Sequence, residues 1–235
     1  MTMQSHSYPP PHARRFNELD YWRRKYLMPA IDSGQTIALV GTGDAEEYLR
    51  DFRLDGELEQ VWDPFRLHKT CAPERYCVYD LNAESIERAQ ALGIQAEVRD
   101  VCLAPLPEKY DYIFCASVMA YVHNLYAFMA NLKESLSDRG LLVLTTPNSV
   151  YFRNCLTDRY HELDEHLCAF NQKHFLNWSA FLGLPVVELA TFQALPARRS
   201  LKVALRKPLY ALMDKLGRSN SIICVLKRRP NEGAS

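Results

Sequence analysis

Four stretches of this chain bring polar groups to the ends of apolar runs. In the first, Ile37, Ala38, Leu39 and Val40 lead into Gly41, Thr42 and Gly43. Glycines at such a turn let the backbone come close to a ligand. The second run, 75–81, carries Asp80 at its end with Leu81 beside it, and the third, 94–98, is followed by Asp100 and Val101. The fourth, 110–116, ends at Ala116 and Ser117, with Tyr121 and His123 shortly after. Buried parallel strands reach the rim of an open sheet in this way, and ligands bind beyond their C-terminal ends. Asp80 is suited to accept from two ribose hydroxyls, and Asp100 from an exocyclic amine. Together these groups describe a nucleoside-shaped site.

The acids near the glycine turn bear on which nucleoside. A nicotinamide or flavin dinucleotide needs its pyrophosphate at the helix N-terminus, with glycine at the third place of G-x-G-x-x-G. That place is Glu46, and its neighbours include Asp44 and Glu47. Carboxylates about 5 Å from a pyrophosphate oppose it by on the order of a few kcal/mol. S-adenosylmethionine carries a sulfonium and an ammonium and no phosphate, so the same acids favour it.

These groups must be positioned by alternating strands and helices. Residues 14–31 read as a helix, with Phe16, Leu19, Trp22 and Tyr26 on one face, broken at Pro29 and followed by a turn at Ser33 and Gly34. This helix either packs on the sheet or covers the ligand. After Gly43 a second helix carries Tyr48, Leu49 and Phe52 on one face, with its acids in the first turn. Residues 53–74 exceed the short link a doubly wound unit needs, and Val61, Trp62, Phe65 and Leu67 suggest an ordered insertion. Asn82 caps a helix running to Gly93. Residues 125–136 are amphipathic, through Leu125, Phe128, Met129, Leu132 and Leu136, and Gly140 stops them. A fifth strand, 141–146, meets Pro147, and Asn148 beyond it is either a turn former or a site donor. Residues 151–183 are polar, aromatic and helix-prone. Two closing strands, 186–192 and 221–227, are joined by a helical insert in which Pro208 opens the helix and Gly217 ends it. Leu209, Leu212, Met213 and Leu216 form its apolar face.

The domain organisation expected is a tail at 1–13, one domain at 14–230 and a tail at 231–235. Within it the N-terminal helix 14–31, the insertion 53–74, a substrate-side segment 147–183 and the basic insert 198–219 surround the core. With 235 residues, 48% of them apolar, the chain can bury a full core. Its formal net charge is zero, which gives no global field for nucleic acid. No apolar run nears the about 18–20 residues of a membrane span, and the first residues lack a secretory signal. Seven cysteines without a C-x-x-C pair point to reduced thiols, a cytoplasmic setting and no metal site. Residues 198–229 carry ten Lys or Arg against the single acid Asp214. That segment is either a solvated basic face on the sheet edge or a contact for an anionic membrane surface or a lipid-linked acceptor.

In its motifs and their order the chain resembles the class I S-adenosylmethionine-dependent methyltransferases, nearest the small-molecule and glycan methyltransferases of the ubiquinone-biosynthesis type. The resemblance spans about residues 21–192. It rests on the G-x-G turn at Gly41 and Gly43, the acidic strand end in VYDLNAESIERAQALG, and Asp100. The stretches YDYIFCASVMAYVHNLYAFMANLKESLSDRG, LLVLTTPNSVYFRN and EHLCAFNQKHF complete it. It implies an α/β, Rossmann-like sheet of seven strands in the order 3-2-1-4-5-7-6, the last antiparallel, with helices on both faces. It also implies S-adenosyl-L-methionine as cofactor, held by Gly41, Thr42, Gly43, Asp80, Leu81, Asp100, Val101, Ala116 and Ser117. Three places depart from the family pattern: Leu39 where an acid is usual, Ala45 for a third glycine, and Ala120 with Tyr121 for a frequent Glu-His pair.

The expected function is methyl transfer to a small-molecule, sugar or natural-product acceptor, with O-methylation favoured. A hydroxyl acceptor must lose a proton. The base candidates are His166, in EHLCAF where the resemblance also puts a histidine near the site mouth, then His123 and His161, with Tyr121 as a positioning group. Two rivals stand beside this reading. Leu39, Ala120 and Tyr121 allow a non-catalytic binding or partner module on the same fold. A nicotinamide enzyme is disfavoured by Glu46.

Overall fold

The computed structural model describes residues 23–41, 71–157, 167–192 and 207–230. The tails, the helix after Gly43, most of the 53–74 insertion and the first part of the basic insert lie outside them.

Seven strands form one sheet: β1 (Ile37–Val40), β2 (Tyr76–Asp80), β3 (Ala96–Val98), β4 (Tyr110–Ala116), β5 (Leu136–Pro147), β6 (Val186–Phe192) and β7 (Ser221–Lys227). Their order is β3-β2-β1-β4-β5-β7-β6. The first five are parallel, and β7 runs antiparallel between β5 and β6. This is the Rossmann-like arrangement the resemblance implied. All four residues of β1 are buried, as a strand covered on both faces requires.

Side-chain alternation divides the core into two layers. Ala38, Val40, Ile113, Cys115, Leu142, Leu144 and Cys224 face one side. There they meet Phe128, Met129 and Leu132 of α3 (Leu125–Glu134) and Phe175 and Leu182 of α5 (Gln172–Leu182). Ile37, Leu39, Val78, Phe114, Val143 and Val225 face the other. They meet Tyr26, Leu27 and Ala30 of the N-terminal segment and Ile86 and Ala89 of α2 (Ala83–Ala91). Asn82 caps α2 by accepting from the Ser85 N–H at 3.1 Å. At α5, Asn171 accepts from the N–H groups of Lys173 and His174, while its own N–H donates to His174 Nδ1 at 3.1 Å. This reciprocal box starts the helix. All seven cysteines are free thiols; burial pushes those of Cys115 and Cys224 up to about 12.

Two glycine and proline expectations are corrected. Pro29 does not end the N-terminal helix. A π-helical turn, Arg23–Leu27, passes directly into α1 (Met28–Asp32), and the wider turn takes in Pro29, whose missing N–H interrupts the hydrogen-bond ladder there. Gly140 does not stop α3. That helix ends at Glu134, β5 starts at Leu136, and Gly140 lies within the strand. The pairing shifts register between Tyr110 and Tyr112, Arg139 adopts φ +70°, and a Cβ at Gly140 would stand 3.0 Å from the carbonyls of Ser137 and Tyr110. The glycine accommodates a bulge.

The two remaining helices, α4 (Phe152–Thr157) and α6 (Lys207–Lys215), lie in the segments after β5 and before β7. Asn148 joins them to the sheet. Its side chain is buried, and Nδ2 donates to the carbonyls of Gly217 at 3.1 Å and Ser219 at 2.7 Å. Its amide therefore serves as a clamp. On the apolar face of α6, Met213 is half-buried while Leu209, Leu212 and Leu216 are exposed.

Candidate functional site

Register brings the strand-end residues to one rim. Val40 stands opposite Tyr79 in β2 and Cys115 in β4, so Gly41 is level with Asp80 on one side and Ala116 on the other. One strand spacing is about 4.8 Å. Val98 pairs with Asp80, so Asp100 emerges two residues later from the next strand. Asp100 thus follows the edge strand, Asp80 ends the second strand and Gly41 follows the third.

The glycine turn is tightly held at its described end. The Gly41 N–H donates to the Tyr79 carbonyl at 2.8 Å. Its φ is +81°, in the left-handed region, and a Cβ there would stand 2.0 Å from Val118 Cγ2. Ser117 also adopts a left-handed conformation, φ +58°, unusual for a residue with a side chain. Its N–H donates to the Thr145 carbonyl at 3.0 Å, which ties the turn after β4 to β5. Such local strain clusters at functional sites. Val118 was not singled out in the sequence, and nothing in its residue type signals the contact with Gly41.

The two acids share one local device. Asp80 Oδ1 accepts from the Asn82 N–H at 2.9 Å, and Asp100 Oδ1 accepts from the Cys102 N–H at 2.8 Å. Each carboxylate is oriented by the backbone two residues on, as in an Asx turn. Leu81 and Leu103, in these two turns, are strongly exposed, at 63% and 81%. Val101 differs: its side chain is buried in the first core layer, and its carbonyl accepts from Asn131 Nδ2 at 2.7 Å. Arg99, the cation next to Asp100, is directed elsewhere, toward the Pro105 carbonyl and Glu97. Two oriented carboxylates with apolar neighbours fit a ribose and an aromatic amine, and they do not form a phosphate cradle.

Beyond β4, a 3₁₀ turn, Val118–Tyr121, leaves Tyr121 exposed and Ala120 buried. His123 is exposed in the loop before α3. The Ala120 carbonyl accepts from the N–H groups of Leu167 at 2.7 Å and Cys168 at 3.1 Å, so the chain beyond residue 166 returns to this turn. The hydroxyls of Thr145 and Thr146, near the end of β5, are buried without a hydrogen-bond partner among the described residues. Thr42, Gly43, His161 and His166 lie outside the described residues. No group of three His, Cys, Asp or Glu side chains with metal-binding geometry occurs among the described residues.

Residues 40–189 match the family described as a methyltransferase domain. No curated protein matches the chain. Among solved structures, an S-adenosylmethionine-dependent methyltransferase from Mesorhizobium loti superposes with a TM-score of 0.55 at 18% identity, covering 89% of this chain and 100% of that one. The N-methyltransferase NodS from Bradyrhizobium japonicum, in complex with S-adenosyl-L-homocysteine, has a TM-score of 0.50 at 16% identity, with coverage of 94% and 93%. The magnesium protoporphyrin IX methyltransferase ChlM from Synechocystis, with bound SAH, has a TM-score of 0.57 at 12% identity, with coverage of 90% and 82%. At these identities the likeness is one of fold.

Proposed function

We propose, from the premise that this chain belongs to the methyltransferase domain family, that it transfers a methyl group from S-adenosylmethionine to a hydroxyl of a small-molecule, sugar or natural-product acceptor. The family makes the chain an enzyme and S-adenosylmethionine its cofactor. A nearest kinship with the ubiquinone-biosynthesis type is part of the proposal. So is a single catalytic domain over 14–230, with its acceptor side formed by 14–31, 53–74 and 147–183.

The observation that carries the reading is the common rim of Gly41, Asp80, Ala116 and Ser117, with Asp100 beyond. When bound, S-adenosylmethionine supplies a methyl carbon already activated by its sulfonium. Asp80 accepts from the ribose hydroxyls and Asp100 from the adenine amine, each carboxylate already oriented by its Asx turn. Leu81 and Leu103 offer apolar surface beside them. Gly41, Thr42 and Gly43 let the backbone approach the amino-acid end. The protein then aligns the acceptor and excludes water. His166 takes the hydroxyl proton, with His123 as the alternative base and Tyr121 as the positioning group. In support, Leu167, the chain neighbour of His166, donates to the carbonyl just before Tyr121.

One observation favours the non-catalytic alternative. Leu39, where the family usually has an acid, is buried in the second core layer and offers no polar group. Calorimetry with S-adenosylmethionine, S-adenosylhomocysteine and NAD, followed by methyl-transfer assays across hydroxyl acceptors, separates the readings. Absence of binding by both sulfur ligands at millimolar concentration overturns the proposal. Binding without turnover selects the non-catalytic module.

A further inference from the structure

The helix α6 presents an apolar stripe that the described residues leave exposed. Leu209 and Leu212, with Leu216 in the turn that closes the helix, recur at i, i+3 and i+7 on one face and are 42%, 50% and 58% exposed. A helix in a soluble domain normally turns such a stripe toward the core. Here the sheet is already covered by α3 and α5 on one face and by α1 and α2 on the other.

The helix is fixed in place. Asn148 holds the carbonyls of Gly217 and Ser219, the Phe152 N–H donates to the Arg218 carbonyl at 3.0 Å, and Thr191 Oγ1 donates to the Asp214 carbonyl at 3.2 Å. The helix α4 lies beside it. Arg218 Nη1 lies 3.6 Å from Cys155 Sγ, and the next residue, Leu156, is 79% exposed.

Charge identifies what covers this surface. Of the ten Lys or Arg in 198–229, those at 198–206 lie outside the described residues and Lys227, Arg228 and Arg229 lie at the far end of β7, where Lys227 pairs with Leu141; Lys207, Lys215 and Arg218 accompany α6, against one acid. That acid, Asp214, is half-buried, with its carboxylate accepting from Ser219 Oγ. Lys215 and Arg218 are exposed beside the stripe, and Lys207 opens the helix. Exposed leucines flanked by cations complement an anionic lipid surface, where the side chains enter the acyl boundary and the cations meet phosphate headgroups. Among the described residues no helix is long and apolar enough to cross a membrane, so this contact is peripheral.

We infer that α6 is a membrane-docking element that seats the chain on an anionic lipid bilayer by the stripe Leu209, Leu212 and Leu216 with Lys215 and Arg218. Because β7 starts opposite the end of β5, at Ser221 and Pro147, the element lies on the rim that carries the candidate site. The docked chain therefore faces acceptors held at the lipid surface.

The test is co-sedimentation of the full chain with vesicles of phosphatidylcholine alone or with about one third phosphatidylglycerol. The chain sediments with the anionic vesicles at low salt and is released as salt rises. Leu212→Ser combined with Leu216→Ser lowers the partition constant by about tenfold or more. Lys215→Glu lowers it by about fivefold or more. All three residues are exposed, so thermal midpoint and S-adenosylhomocysteine affinity stay at parent values, which checks folding. Equal retention of parent and variants overturns the inference, as does no retention at low salt. Concentration-dependent dimers that the leucine variants abolish, without vesicle binding, assign the stripe to a second copy instead. The readout needs no turnover, so its failure and that of the methyl-transfer reading are separate results.

Discussion

Gly41 and Val118 touch across the sheet rim so closely that no side chain fits between them. One ends β1, the other opens the 3₁₀ turn after β4, and a Cβ on Gly41 would lie 2.0 Å from the valine Cγ2. Gly41→Ala therefore meets both this overlap and a φ of +81°. S-adenosylhomocysteine affinity is expected to fall at least about tenfold by calorimetry, a loss of about 1.4 kcal/mol. Adding Val118→Ala removes the overlap and leaves the backbone strain, so it restores only part of the affinity.

Of the proposed cofactor contacts, Asp80 has the largest expected effect. Asp80→Ala should weaken S-adenosylhomocysteine binding by about 1.5–3 kcal/mol, because charge-assisted hydrogen bonds are lost. Asp100→Ala should cost about 1 kcal/mol for a single contact. Titration calorimetry reads both. An unchanged affinity in Asp80→Ala would remove the ribose assignment.

His166→Ala separates proton removal from binding. A general base contributes about 10²–10⁴-fold, so kcat for a hydroxyl acceptor should fall in that range with cofactor affinity unchanged. His123→Ala with His166 intact should leave most of the rate. Reversal of the two results would exchange their roles, and Tyr121→Phe should raise the acceptor KM more than it lowers kcat.

Asp111 links stability to pH from the opposite end of the sheet. Burial alone would raise its carboxyl. Hydrogen bonds from Ser137 Oγ, the Thr36 N–H at 3.0 Å and Thr36 Oγ1 at 3.1 Å outweigh that and hold it below the usual carboxylate range. A folded-state value below the unfolded one gives stability that is complete above the unfolded value, about 4, and is lost as pH falls through the folded value. Asp111→Asn should lower the thermal midpoint near neutral pH and flatten its acid dependence below about pH 4, with cofactor affinity preserved.

Asn148→Leu tests the clamp between β5 and the turn before β7. It strands the carbonyls of Gly217 and Ser219, with an expected cost of about 2–3 kcal/mol in denaturant unfolding. The larger functional effect should fall on acceptor KM, since the perturbed segment lies beyond β5 rather than β1 and β2.

The sequence made the alternation of strands and helices legible because β1, β2 and β4 are short apolar runs and α3 carries a clear helical period. Asp80, Asp100 and Ser117 could be placed at the rim for the same reason: polar residues end apolar runs there. What escaped notice depends on partners distant in the chain. Gly140 reads as a helix stop until Tyr110 is laid beside it. Pro29 reads as a breaker, yet the π-helical turn before it lets the helix run on. Asn148 has the composition of a turn residue, and only the carbonyls some 70 positions later reveal a clamp. The α6 leucines show the period of a packed helix, and periodicity cannot say whether a partner surface is left to receive them.

The one reversed strand has an effect on how this chain can diversify. Because β7 runs against β5 and β6, the excursion from Phe192 to Ser221 leaves and rejoins the sheet on the chemical rim. Its length and composition can change without rethreading β1, β2 or β3. The rim of β1, β2 and β3 is thus insulated from that excursion, and new surfaces can be tried by altering one connection while the rest of the sheet keeps its geometry.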